Sequence, residues 1–497
     1  MPSQPTSQSD PTRAILEWLA NAPASDLSDE TGTLLTQLDA LHSPTVSAGQ
    51  FHSCMELFYG RALALGIAHR HAARELTHPL PDAVLARARL LGDGLRRVAS
   101  GFERVLTDAD SRAGTPQKRF NEATSARALR MLGEHFLTMS QAGMEPDPDI
   151  WRTAYRLYAL SRVDNGSLEP AASPSETALL AYKRLLGMVA LEPLSLTPAE
   201  LEWSADYLTR ICAQLHVQEI RPTVMDSSWY WLDPQGNAEP QACVRREAPE
   251  GRSLLFFSTT GLARHAGELL ARHEDGHESG ELARTPEFPG VRPVALLDRL
   301  RQHWSLPPRR ELPRRRQDYK VEACVGLSTI WNVLRNGVAH DPTLVSHWTV
   351  LNESPGGFAI MHLQGHTDGL AAGMAVALRR NPADAWNLCV VRWLRSELAN
   401  QMEVGLQVVS RSPIPVLVGF RGGSRESRMS MALVLPVLPA LRQHQAVMAP
   451  AGTYVSRRFT LVSDVDRVYI AQCRLLSLDL QTSNVEIFQF EVDPYPL

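Results

Sequence analysis

The sequence predicts a multidomain α+β protein: an N-terminal helical domain, a small mixed α/β unit, a C-terminal β-barrel and a second β domain. Length decides the plural, because 497 residues exceed what one hydrophobic core organises. Texture decides the order. Helical periodicity runs to about residue 220, and short strands separated by Gly, Pro or Asn fill 318–412 and continue beyond. The implied units are a disordered tail at 1–12, a helical domain at 13–220, the mixed unit at 221–304, a barrel at 305–412 and the second β domain at 413–497.

Ile15, Leu16, Trp18 and Leu19 open the helical part, and further segments run near 62–78, 81–106, 118–144 and 149–162. Two later helices carry explicit start signals. Ser173-Pro174-Ser175-Glu176 and Thr197-Pro198-Ala199-Glu200 each place a hydroxyl at the N-cap, Pro at the first helical position and Glu at the third. In that arrangement the hydroxyl accepts from the third amide and the carboxylate reaches back to the cap amide. No fixed repeat period emerges. A helical module of this kind is either a bundle with its own core or a surface for an unknown protein partner.

After 220 the pattern changes. Trp229-Tyr230-Trp231-Leu232 and a run at 253–258 read as strands, with Asp233-Pro234-Gln235-Gly236 as a turn, and helices follow near 262–272 and 294–304. The barrel strands are expected at 318–325, 346–351, 358–363, 375–379, 388–394 and 403–409. Those of the second β domain are expected at 416–420, 431–436, 452–455, 459–462, 467–479 and 485–492.

Composition sets limits on function. A net charge of −4 gives no overall pull toward nucleic acid or an anionic membrane, so any anion site must come from local clustering. The six cysteines are scattered without a CxxC pair, which favours free thiols over a disulfide or zinc framework. The polar start of the chain lacks the basic and apolar regions of a signal peptide. No apolar run approaches the roughly 20 residues that span a bilayer. A cytoplasmic location without membrane insertion is the expectation.

Local clustering does occur. Arg309-Arg310 and Arg314-Arg315-Arg316 precede the first barrel strand, and Asn352-Glu353-Ser354-Pro355-Gly356-Gly357 follows a run with strand character. An arginine fork donates to phosphate or to the O6/N7 edge of guanine, and its plane stacks on a base. Asn352 and Ser354 can pair with a guanine edge, while Gly357 permits close backbone approach.

Arg310 and Arg314 at RxxxR spacing, with Asn352, Ser354 and Gly357 in an Asn-x-Ser-x-x-Gly pattern, resemble the PilZ domain, a bacterial family of small barrels that binds cyclic di-guanylate (cyclic di-GMP). Val390-Val391-Arg392-Trp393 and Glu403-Val404-Gly405-Leu406-Gln407 look like later strands of such a barrel. The resemblance covers about 305–412 and implies a ligand site made of Arg310, Arg314, Arg315, Asn352, Ser354 and Gly357. It implies a cyclic di-GMP receptor that signals ligand occupancy to the helical module, without catalysis, cofactor or metal. One departure stands out: Asn352 follows Arg314 by 38 residues, a long gap for a compact member. Either a strand pair bridges that gap or the two halves never meet.

Other readings stay open. A degenerate barrel without ligand would make the chain an interaction scaffold. His273-Glu274-Asp275-Gly276-His277 is formally HExxH, which on a continuous helix could hold zinc with Glu274 as general base, and Glu281 or Glu287 as a third ligand. Gly276 and the polar residues after it instead suggest a helix end. Arg421-Gly422-Gly423-Ser424-Arg425 could cradle an anion or be a plain loop. Trp331, Trp348 and Trp393 could stack on bases or fill cores.

Overall fold

The computed structural model describes residues 11–21, 23–24, 26–110, 117–162, 177–277, 279–284, 286–310, 312–338, 341–364, 367, 369–398, 401–420, 429–439, 442–464 and 468–493. Among the described residues, eight α-helices come first: α1 (Pro11–Ala20), α2 (Leu27–Leu41), α3 (Ala48–Ala73), α4 (Asp82–Asp110), α5 (Gln117–Gln141), α6 (Asp149–Arg162), α7 (Ala178–Val189) and α8 (Pro198–Ile211). Thr197 closes a full capping box on α8: its side chain accepts from the Glu200 amide, and Glu200 accepts from the Thr197 amide. The expected cap at Ser173–Glu176 lies outside the described residues; α7 is capped by Thr177, whose hydroxyl accepts from Leu180 N.

A four-stranded antiparallel sheet follows, built from β1 (His216–Gln218), β2 (Trp229–Leu232), β3 (Gln241–Ala242) and β4 (Leu255–Ser258), with α9 (Thr260–Glu274) and α10 (Pro293–Ser305) after it. This unit keeps a small apolar cluster of its own, Trp231, Ala248, Leu254 and Phe256, and shares the rest of its core with the helices. Tyr230, Phe257, Leu297 and Trp304 belong to the same buried cluster as Phe58, Phe102 and Tyr182 of the helices. The small mixed unit is thus packed against the helical part by shared apolar burial.

The first barrel contains β5 (Arg315–Val325), β6 (Ser346–Ser354), β7 (Gly357–Gln364), β8 (Ala375–Arg379), β9 (Asn387–Leu398) and β10 (Gln401–Ser410), closed in the order β10-β7-β6-β5-β8-β9. Between β5 and β6 sits α11 (Leu327–Asn336), a helix inside a region expected to be dominated by strands. It accounts for the long gap. The chain leaves β5, makes α11, and returns along β6 in antiparallel register, so that Arg316 pairs with Asn352.

The second barrel contains β11 (Ile414–Phe420), β12 (Ser430–Leu435), β13 (Ala446–Pro450), β14 (Arg458–Ser463), β15 (Tyr469–Gln481) and β16 (Val485–Val492). Its strands pair first–second, second–third, third–sixth, first–fourth, fourth–fifth and fifth–sixth, the same connectivity as the first barrel. The chain therefore repeats the fold. The strand expected at 452–455 is instead β13 at Ala446–Pro450, and Gly452 turns the chain at φ +89°. The two barrels share apolar contacts from Trp331, Trp386, Leu433 and Ile487, with α11 wedged between them.

The helical part docks on the first barrel through backbone. His78 and Leu370 exchange two amide–carbonyl bonds at 2.8 and 3.0 Å, and Ser396 N donates to Gly143 O at 2.9 Å. Gly143 has φ +71°, a conformation that glycine adopts without steric cost. Backbone bonds of this kind fix register between domains, which apolar contact alone does not.

Candidate ligand-binding face of the first barrel

The site residues lie where the segment before β5 meets the β6–β7 hairpin. Arg314 Nη1 donates to Asn352 Oδ1 at 2.9 Å. The two halves of the sequence motif thus meet despite their separation. Burial, and then the neighbouring Arg310, hold the Arg314 guanidinium below its ordinary range. Two cations are held close together, and an anion between them would relieve the repulsion. Arg310 and Arg315 are exposed, and among the described residues neither side chain has a hydrogen-bond or ion-pair partner.

Register determines which way Asn352 faces. Val350 pairs with Ile360 and Asn352 with Ala359, which leaves Leu351 as the extra residue of a bulge. Val350 and Ile360 are core residues of the barrel, so the bulge turns Asn352 outward beside Ala359. The row continues from Ala359 to Gly405 on β10 and from Gly405 to Trp393 on β9, and begins with Arg316 opposite Asn352. One outer face of the barrel therefore reads Arg316, Asn352, Ala359, Gly405, Trp393. The Trp393 indole lies across Gly405, in the space a Cβ there would occupy.

Glu353 points the other way, to the barrel mouth. It accepts from Tyr319 Oη at 2.5 Å and from Gln317 Nε2 at 3.0 Å. Burial, followed by the bond to Glu353, raises the Tyr319 pKa, so the phenol keeps its proton as donor. These bonds anchor β5 to β6 just beside Arg314.

The hexapeptide is less of a turn than its composition implies. Asn352, Glu353 and Ser354 finish β6, and Ser354 pairs with Gly357 across a two-residue loop, Pro355-Gly356. The Ser354 hydroxyl donates to Gly357 O at 3.4 Å. Gly357 is buried, and a Cβ there would run into the Leu406 carbonyl of β10. Its lack of a side chain thus serves the β7–β10 seam. Gly357→Ala is expected to cost about 1–3 kcal/mol of stability, as overpacking does, measured by chemical denaturation.

The competing motif is not assembled. Helix α9 ends at Glu274, Gly276 has φ +84°, and His277 lies beyond the helix, so His273 and His277 do not share a helical face. Among the described residues no group of three or more His, Cys, Asp or Glu is placed to hold a metal ion. Arg421–Arg425 lies outside the described residues. Trp331 and Trp348 are buried in apolar clusters, whereas Trp393 is half-buried on the outer face.

Comparison with known proteins bears on this barrel. Residues 336–415 match the family model described as the cyclic-di-GMP receptor FimW, middle PilZ domain. The first barrel is a PilZ domain. Residues 13–223 match the model for the N-terminal domain of the same receptor. The matched PilZ segment contains Asn352, Ser354 and Gly357, and the arginine segment at 309–316 lies between the two matched stretches. A curated relative, the cyclic-di-GMP receptor FimW of Pseudomonas aeruginosa, is 29% identical over 102 residues. That match covers 20% of this chain and 17% of the relative's length. No solved structure matches the chain. Among the described residues no helix is long and apolar enough to cross a membrane.

The second barrel repeats the PilZ connectivity without the hairpin motif. Its equivalent of the β6–β7 hairpin begins Pro436-Val437-Leu438-Pro439, with no Asn-x-Ser-x-x-Gly.

Proposed function

We propose that the chain is a cyclic di-GMP receptor whose PilZ domain binds the ligand with Arg310, Arg314, Arg315, Asn352 and Ser354. The observation that carries this reading is the bond from Arg314 to Asn352, which brings an arginine cluster to a polar hairpin. The ligand supplies two phosphates and two guanine edges, and the face offers guanidinium forks, an amide and a hydroxyl to meet them. The likeness to the cyclic-di-GMP receptor FimW supports the same ligand.

The action is binding, with no chemical step. A receptor of this design signals by favouring one arrangement of its domains, which needs different affinities for two arrangements. The route proposed here runs through the His78–Leu370 and Gly143–Ser396 contacts to the helical module, which holds a protein partner.

Calorimetric titration of the intact chain with cyclic di-GMP, beside GTP as a control, tests the reading. Saturable binding of the cyclic dinucleotide alone is expected. Asn352→Ala removes both a guanine-edge group and the anchor of Arg314, and should weaken binding about ten- to hundredfold. Wild-type affinity in that variant would remove Asn352 from the site.

A further inference from the structure

Beside the PilZ domain lies a cleft of about 650 Å³, bounded by the helical domain, the loop before β3 and strand β9. That volume is in the range of small-molecule sites. The cleft is contiguous with the ligand-binding face, because Arg310 and Trp393 both line it. Its arginines fall into two groups. Arg245 and Arg395 are occupied, the first paired with Glu192 at 2.5 Å and the second with Glu145 at 2.6 Å. Arg310 and Arg392 have no hydrogen-bond or ion-pair partner among the described residues.

Arg392 is the informative one. It comes from β9, beside Trp393, and its charge is disfavoured first by burial and then by Arg299, which is itself paired with Glu200 at 2.9 Å. His303, on the last turn of α10, also lines the cleft and is 9% exposed, with its Nδ1 buried and unpaired. Burial, then Arg299, Arg392 and Arg245, push the imidazole pKa down to about 3, so it is neutral and has a ring nitrogen to offer. The buried, unpaired His303 Nδ1 is costly unless a ligand uses it, and the half-buried Arg392 guanidinium beside it is free to receive an anion.

We propose that the ligand site extends from Asn352 along the barrel face into this cleft, where Arg392, Trp393 and His303 receive the second half of the cyclic dinucleotide. The proposal rests on the receptor reading above and adds residues outside both sequence motifs. Asn352 and Trp393 are three strand spacings apart in one row, about 14 Å at about 4.8 Å per strand. Ala359 and Gly405 between them keep the floor low. A ligand lying along that row has one guanine and phosphate at Arg314 and Asn352. The other pair meets the Arg392 fork, the Trp393 ring and the His303 nitrogen. Because His303 belongs to α10, whose core is that of the helical domain, occupancy ties the barrel directly to that domain.

Titration of the intact chain with cyclic di-GMP tests this. Arg392→Ala and Arg392→Met are each expected to weaken binding about ten- to hundredfold, the second keeping an apolar stem in place. Arg314→Ala is run beside them. Weakening by Arg314→Ala with wild-type affinity in both Arg392 variants overturns the extension into the cleft and leaves the receptor reading intact. No binding by the wild-type chain overturns both. Hydrogen exchange of the wild-type chain, which needs no variant to fold, gives a second measure. Ligand should slow exchange at the last turn of α10 and at 390–395; slowing confined to 310–316 and 350–357 overturns the extension.

Discussion

Alanine at both Arg310 and Arg314 is expected to lower affinity for cyclic di-GMP by about a hundredfold or more, since each charge-assisted contact contributes about 1.5–3 kcal/mol. The effect on stability should be small. Arg310 is exposed, and Arg314 donates to Asn352 at the surface of the barrel. Equilibrium titration and a thermal melt on the same sample separate the two quantities. Loss of affinity with an unchanged melting temperature is the expected pair of results. Because like charges crowd this site, affinity should also fall steeply as salt is raised.

A second large effect is expected far from the ligand face. Glu134 on α5 is fully buried and is paired with Arg70, with Arg130 at 3.2 Å and with Arg184 at 3.5 Å. Arg70 and Arg184 are themselves only 7% and 4% exposed. Glu134→Ala would remove the carboxylate that three arginines share, leaving Arg70 only Glu202 at 3.8 Å, and should cost about 3–5 kcal/mol, read from denaturant unfolding. Burial pushes the Glu134 carboxyl upward, but Arg70, Arg184 and Arg130 outweigh it and hold the pKa below the ordinary value. A carboxylate with a depressed folded-state pKa contributes its stability above the unfolded value of about 4.3. That contribution is lost as pH falls below this value and through the folded pKa. Wild-type melting temperatures should therefore drop in acid, and the drop should be smaller in Glu134→Ala.

How far the sequence revealed these features differs from one to the next. Thr197-Pro198-Ala199-Glu200 named its helix start because a capping box is a local structure, written within four residues. Helix α11 was hidden for the opposite reason. Its Thr329, Ile330, Trp331 and Val333 are residues that also suit a strand, and only the positive-φ Gly326 and Gly337 at its two ends mark it off. With α11 unseen, the sequence leaves open whether the long gap between Arg314 and Asn352 closes. The direction of Asn352 was hidden too. Alternation from Trp348 and Val350 would send it into the core, and the bulge at Leu351 reverses that.

The cleft was out of reach for a different reason. Arg392, His303 and Arg310 come from a strand, a helix and a loop, and nothing local links them. Trp393 was legible only as one tryptophan among several. What distinguishes it is Gly405, opposite it on the neighbouring strand, and that pairing exists only in the folded barrel. The repeat of barrel topology in 413–497 was equally invisible, because connectivity is conserved between the two barrels while the site motif is not.

The central claim is that one continuous face of the PilZ domain, with the arginine segment folded against it, holds the ligand. Ultraviolet crosslinking of radiolabelled cyclic di-GMP to the intact chain, followed by peptide mapping, addresses it most directly. The account predicts label on peptides containing 310–316 and 352–354, competed by unlabelled cyclic di-GMP but not by GTP. Competable label confined to the second barrel or to the helical domain, with none on those two segments, would contradict it.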